Sequence, residues 1–271
     1  MTAAASGTNK IQWSKMLAMT GDEYLRSILS RLRVDPAASW LVDKVKNELG
    51  PHLEAWGGEQ LLSVEPSGSF AKGTAVHAGT DIDFFLSMSS TTDETLENIH
   101  GTLMKKLSGV GYNPRGQNVS IGIKVDVWDV DLVPGRRVDQ FSDDHNLYRR
   151  KTGTWTKTNV KKHISNVKSS GRTAEICLLK IWRRQQGLEF PSFYLEMAAI
   201  EALKYKSLDA LADNTMAALT YLSKDFLRAR FVDPANTNNV ISDELSGAGR
   251  AAIATAASRA TMARTWGEII T

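Results

Sequence analysis

The sequence predicts an α/β (α+β) fold, a small mixed sheet with flanking helices followed by a lobe made of helices alone. Three observations predict it. Between Leu61 and Val133, short apolar runs with strand spacing alternate with helical patterns, and after Gly135 the patterns turn helical. At 271 residues and 42% hydrophobic, the chain can also bury a substantial core. The change of character places a first lobe, with N-terminal helices, over 1–150 and a helical lobe over 151–271.

Taken in order, helices are expected over Gly21 to Arg33 and Ala37 to Leu49. The second carries Leu41, Val42, Val45 and Leu49 at helical spacing behind an Asp35-Pro36 start signal. A strand follows at Leu61 to Glu65, then a turn at Pro66-Ser67-Gly68-Ser69, then a strand at Ile82 to Met88. Thr92 to Leu107 has the pattern of a helix, opened by Thr91-Thr92-Asp93-Glu94. Val119 to Val133 reads as one long strand or a bent pair. Its apolar alternation runs through Ile121, Ile123, Val125 and Val127 and then changes phase to Val130 and Leu132, which calls for a bulge or tight bend near Trp128-Asp129. Helical patterns then cover Asn159 to Lys168, Thr173 to Gln186, Ser192 to Lys206, Leu208 to Lys224 and Gly249 to Ile269.

Composition excludes several classes. Met1 to Lys10 has no apolar core of signal-peptide length, and no later run reaches the roughly eighteen apolar residues of a bilayer span, so a soluble, cytoplasmic chain with no membrane partner is expected. The single cysteine, Cys177, sits in an apolar run and reads as a core filler. The five histidines have no metal-ligand spacing, so no zinc site is expected. There is no Gly-x-x-x-x-Gly-Lys-Ser/Thr loop and no Gly-x-Ser-x-Gly elbow. Net charge is only +3, yet Arg136 to Arg184 holds thirteen Lys or Arg against four Asp or Glu, a local +9 that suits a polyanionic ligand.

The chemistry concentrates in Gly68-Ser69-Phe70-Ala71-Lys72-Gly73-Thr74 and Asp81-Ile82-Asp83. Residues two apart on a strand share a face, so Asp81 and Asp83 point one way while Ile82 and Phe84 enter the apolar layer. Two neighbouring carboxylates repel each other unless a cation sits between them, and hard oxygen ligands select magnesium or manganese. The Gly68-Ser69 turn upstream supplies backbone N–H groups and a hydroxyl for a phosphate, with Lys72 as a nearby cation. A two-metal site wants a third carboxylate. Asp126, Asp129 and Asp131 all qualify, and periodicity alone does not choose among them.

The order Gly68-Ser69, Lys72-Gly73-Thr74, Asp81-Ile82-Asp83 and Val130-Asp131-Leu132-Val133-Pro134 resembles the polymerase-β-type nucleotidyltransferase superfamily. Within it the chain is most similar to the oligoadenylate-synthetase-like group that includes the bacterial cyclic-oligonucleotide synthases (CD-NTases). Gln117 to Ile123, Thr158-Asn159 with His163, Leu179 to Trp182, Pro191 to Glu196, and Phe231 to Asn236 with Asn238-Asn239-Val240 extend the resemblance over most of the chain.

The resemblance implies Asp81, Asp83 and Asp131 as catalytic metal ligands for two magnesium ions, with manganese as the alternative. It implies Gly68, Ser69, Lys72, Lys180, Ser192 and Tyr194 as nucleotide contacts, Lys180 being a counter-ion for the triphosphate. Asp126 and Asp129 are left as structural or supporting groups. The implied lobes are a nucleotidyltransferase catalytic lobe over 1–150 and a nucleotide-gripping lobe over 151–271. The implied activity is template-independent synthesis of a short or cyclic oligonucleotide signal from nucleoside triphosphates, in bacterial anti-phage signalling. The residues do not specify an activating protein or RNA.

Two rivals are set beside it. A tRNA CCA-adding enzyme shares the site, but the stretch after Val240 is expected to hold only one or two helices. A catalytically silent nucleotide- or RNA-binding module is disfavoured by three intact aspartates, which without metal repel a polyanion.

Overall fold

The computed structural model describes residues 19–35, 39–77 and 81–271; Met1 to Lys10, the Pro36-Ala37 start of the expected second helix and the Gly79-Thr80 pair lie outside the described residues. In chain order the helices are α1 (Gly21–Leu32), α2 (Ser39–Gly57), α3 (Gly68–Lys72), α4 (Leu96–Gly109), α5 (Val160–Ser169), α6 (Thr173–Gln185), α7 (Ser192–Ala202), α8 (Leu211–Lys224) and α9 (Gly247–Thr261). The strands are β1 (Leu61–Pro66), β2 (Ile82–Met88), β3 (Arg115–Gly116), β4 (Ile121–Val125), β5 (Trp128–Arg137), β6 (His145–Arg149), β7 (Thr154–Thr158), β8 (Val232–Asp233) and β9 (Asn236–Val240). The mixed α/β fold with a small mixed sheet and flanking helices is as expected.

The described residues group into two compact units. The first, Val34–Thr173 with Arg230–Glu244, holds the sheet, in the order β1-β2-β5-β4-β3, with β6 added on β5 and β7 on β6. Among the described residues of this sheet only β2 and β5 pair in parallel; its other pairings are antiparallel. One sheet face is closed by apolar side chains. Ile82, Phe84 and Leu86 of β2, Val130 and Leu132 of β5, and Ile121, Ile123 and Val125 of β4 share one buried cluster with Val45, Leu49 and Leu53 of α2 and with Leu103 and Leu107 of α4. The odd-numbered positions of β2 and β5 are thereby committed to the opposite face.

Several boundaries differ from the sequence expectation for local reasons. Helix α2 runs eight residues past Leu49, with Pro51 inside it, because Leu53 continues the buried stripe at 1% exposure. Helix α4 starts at Leu96, since the Thr95 side chain accepts the Asn98 N–H at 3.1 Å and forms the cap there. The turn expected at Pro66 to Ser69 leads directly into α3, which closes on Gly73 at φ 71°. The phase change before Val130 is a two-residue hairpin at Asp126-Val127: Val125 pairs with Trp128, and Asp126 takes φ 52°. Strands β6 and β7 form a ribbon at the sheet edge. Its sequence is largely polar and Trp155 is 62% exposed, so it carries no hydrophobic alternation to read.

The second unit comprises the described residues up to Arg33, Ala174–Ala229 and Leu245–Thr271. Thr20 and Glu23 form a capping box on α1, and the Tyr24 hydroxyl donates to the Ile270 carbonyl at 2.9 Å. In α6 and α7 the core includes a charged pair: Lys180 Nζ lies 2.7 Å from Glu196 Oε1, with side chains 4% and 1% exposed. Such a pair gains little over an apolar substitute, but removing one partner strands the other charge away from water. Lys180→Ala is therefore expected to lower stability by about 3–5 kcal/mol. The exposed control Lys224→Ala should stay within about 0.5 kcal/mol. Denaturant midpoints measured on both variants and on Lys180→Met/Glu196→Leu check this: the double variant should recover most of the loss.

Candidate active site

The parallel pairing of β2 with β5 decides where the acidic side chains meet. Its register sets Asp83 opposite Asp131, with Phe84 opposite Leu132 and Ile82 opposite Val130. Both apolar pairs are fully buried in the core face, so Asp83 and Asp131 lie together on the other face, with Asp81 at the mouth of β2 and Asp129 two residues before Asp131. A one-residue slip would drive the carboxylates into the apolar layer, which fixes the register against error.

Glycine lets the backbone close on this face. Gly68 has φ 57°, and a Cβ placed there would stand 1.8 Å from Asp83 Oδ2. The Ser67 N–H donates to the Asp83 carbonyl at 2.8 Å, which ties the turn to β2 and sets Ser69, half-buried in α3, beside it. Lys72, at the end of the same helix, is only 9% exposed.

Asp131 is held from the β3–β4 turn. Gln117 Nε2 donates to Asp131 Oδ1 at 2.8 Å, and the Ser120 hydroxyl lies 3.3 Å from Oδ2 and 3.0 Å from Gln117 Oε1. Electrostatics shows the crowding. Burial pushes the Asp131 carboxyl above its ordinary range and the charge of Asp81 adds to this, while the Ser120 hydroxyl and Arg115 oppose it. Asp81 is likewise pushed up, by burial first and then by Asp129, with Arg115 opposing. Arg115 also pairs with Asp129 at 3.3 Å, and Lys124 stands 3.8 Å from the same residue.

The α/β unit thus contains Gly68, Ser69, Lys72, Asp81, Asp83 and Asp131. Lys180, Ser192 and Tyr194 belong to the helical unit. There Lys180 engages Glu196, the Ser192 hydroxyl accepts from Arg183 Nη1 at 3.1 Å, and Tyr194 is buried against the rings of Phe190 and Phe226. Asp129, left by the sequence as a structural or supporting group, is a charge acting on Asp81, whereas sequence reasoning missed Arg115, Gln117 and Ser120 as neighbours of the aspartates. Asp126 stands apart, exposed in the hairpin with Lys44 at 2.7 Å.

All the acidic groups offer oxygen, the donor type that magnesium prefers. Among the described residues no three His, Cys, Asp or Glu side chains close on one point as a finished cage would. An open set fits magnesium, which keeps several waters and is bound through one or two carboxylates together with substrate phosphates.

The raised Asp81 pKa has a stability consequence. A carboxyl whose folded pKa lies above its unfolded value weakens the fold once ionised, and the penalty vanishes in acid where both states are protonated. Asp81→Asn is therefore expected to raise the metal-free denaturant midpoint at pH 7 and to lose that advantage as pH falls below the ordinary carboxylate range. Midpoints across that range, for wild type and variant, check the sign.

No family model matches the chain. It is 27% identical over 209 residues to the cyclic AMP-AMP-AMP synthase of Escherichia coli (strain MS 115-1), a match covering 70% of this chain and 65% of that protein. The chain therefore matches slightly under two thirds of that relative's length. Among solved structures it superposes on the E. coli MS115-1 CdnC:HORMA-deltaN complex with a TM-score of 0.71 at 20% identity, covering 88% of this chain and 89% of that one. On the Bradyrhizobium diazoefficiens CD-NTase CdnG in complex with GTP the TM-score is 0.73 at 13% identity, covering 93% and 95%. The chain shares the fold of these two structures, and in sequence it is similar to a bacterial cyclic-oligonucleotide synthase.

Proposed function

We propose that the chain is a template-independent nucleotidyltransferase that makes a short or cyclic oligonucleotide signal from nucleoside triphosphates. The observation that carries the reading is the in-register placement of Asp83 and Asp131 on adjacent parallel strands, with Gly68 packed against Asp83. The family likeness supports the product class, since the curated relative is a cyclic AMP-AMP-AMP synthase and CdnG was solved with GTP.

In this reading Asp81, Asp83 and Asp131 hold two magnesium ions, manganese being the alternative. Bound magnesium supplies charge neutralisation at the attacking hydroxyl and at the departing pyrophosphate. The chain's own groups do the positioning. Gly68 lets the backbone approach the phosphates, and Ser69 offers its hydroxyl and N–H, with Lys72 as a nearby positive charge. Ser192 and Tyr194 are proposed as contacts to triphosphate or nucleoside. Lys180 is proposed as a triphosphate counter-ion; an ammonium carries three donors, one of which is directed to Glu196. The lobes over 1–150 and 151–271 are proposed to divide catalysis and nucleotide grip between them. Among the described residues no helix is long and apolar enough to cross a membrane. A cytoplasmic, anti-phage role is proposed on the family likeness, and a relative solved with HORMA-deltaN suggests that an activating protein be included in the assay.

Incubation with labelled nucleoside triphosphates and magnesium tests the reading. Pyrophosphate release and oligonucleotide product without RNA are expected; release only with tRNA would favour a CCA-adding activity, and no release with or without a HORMA partner would contradict the proposal. Asp131→Asn is expected to cut the rate by about 10²–10³-fold, the scale of losing one preorganised electrostatic group, with Asp129→Asn costing less and Asp126→Asn least.

A further inference from the structure

The turn that joins β3 to β4 does more than connect two strands. Both oxygens of Asp131 face it, Oδ1 taking the Gln117 amide at 2.8 Å and Oδ2 lying 3.3 Å from the Ser120 hydroxyl, and Ser120 and Gln117 are themselves 3.0 Å apart. The three side chains form a closed ring. Across the strands, Gly122 pairs with Asp131 and adds no side chain; a Cβ there would press to 3.0 Å from Gln117 Nε2 and 3.1 Å from Asp131 Oδ1.

The turn is itself held from within and from the β6–β7 turn. Internally, the Gln117 N–H donates to the Ser120 carbonyl at 2.9 Å. From the β6–β7 turn, Arg150 donates through Nε to the Gln117 carbonyl at 3.1 Å and through its backbone N–H to the Asn118 carbonyl at 2.8 Å, while the Lys151 N–H donates to Asn118 Oδ1 at 3.3 Å. A Gln side chain on an exposed turn loses conformational freedom when it is held on a carboxylate, and a local hydrogen bond at the surface returns little stability. The arrangement is better matched to orienting a ligand than to holding the fold together.

We propose that Gln117 and Ser120 are positioning residues for the nucleotidyl-transfer site: they fix the orientation of Asp131 so that its remaining lone pairs face a divalent cation. The inference rests on the metal-dependent reading given above. Ligating carboxylates held by a hydrogen-bonded outer group lose about 10–100-fold in metal affinity or activity when that group is removed. The hydroxyl of Ser120 has one proton for two acceptors, so the amide of Gln117 is the stronger constraint and its loss is the more damaging.

The test uses the full chain with Gln117→Leu, Ser120→Ala and Ser120→Thr, and reads Mn2+ binding by paramagnetic resonance alongside steady-state kinetics and the thermal midpoint. Gln117→Leu is expected to weaken Mn2+ affinity and lower kcat by about tenfold or more, with the nucleotide KM and the metal-free midpoint near wild type. Ser120→Ala should show a smaller loss and Ser120→Thr should recover it. Gln117→Glu, which keeps the length but sets a second carboxylate beside Asp131, is expected to retain less activity than Gln117→Leu. Unchanged Mn2+ affinity in Gln117→Leu, or a loss matched by a lower midpoint in every variant, would overturn the positioning role while leaving the metal site intact. Failure of the wild-type chain to bind Mn2+ would overturn the metal reading and this inference with it.

Discussion

The parallel pairing of β2 with β5 is the constraint on which the rest depends. Its register is fixed by apolar side chains, Ile82 with Val130 and Phe84 with Leu132, all of them at 0% exposure. Because side chains alternate, the same hydrophobic choice that buries these residues sends Asp83 and Asp131 together to the opposite face. The core therefore positions the chemistry. A fold built to this register places carboxylates close enough to perturb one another, and the surrounding chain accepts that cost at the site rather than relieving it with an equal number of buried cations.

The supporting groups follow from the same geometry. Gly68 is present where any Cβ would strike Asp83, so the turn before α3 can reach the site only without a side chain there. The Asp126-Val127 hairpin brings β4 back along β5 in the register that pairs Gly122 with Asp131, and so carries the Gln117 to Ser120 turn to the carboxylate. In the helical unit the corresponding device is the Lys180–Glu196 pair, which holds a cation in a packed helix by fixing a carboxylate beside it.

Much of this is legible in the sequence, for identifiable reasons. Strand β2 is readable because Ile82 to Met88 is a short apolar run beside two aspartates two residues apart, and helices α5, α6 and α8 because their apolar spacing is regular. The change of phase between Val125 and Val130 signals a bend, although the apolar Val127 hides the turn; it stands 76% exposed in the hairpin. Strands β6 and β7 are not legible, since a largely polar edge ribbon leaves no period. Nor are the partners of Asp131. Gln117 lies fourteen residues away, and only the register of β4 on β5 brings it to the carboxylate. Of the third-aspartate candidates, spacing leaves three open and resemblance chooses Asp131, which the structure places opposite Asp83.

On the proposed function, the face carrying Asp83 and Asp131 receives a divalent cation together with a nucleoside triphosphate. Thermal midpoints of the wild-type chain and of Asp83→Asn, measured with magnesium and a non-hydrolysable ATP analogue, test it most directly. Ligand bound only by the folded chain raises the midpoint increasingly as its affinity rises. A clear rise is expected for wild type with magnesium and analogue together and a much smaller one for Asp83→Asn; equal rises in the two proteins, or none in wild type, would contradict cation and nucleotide binding at this face.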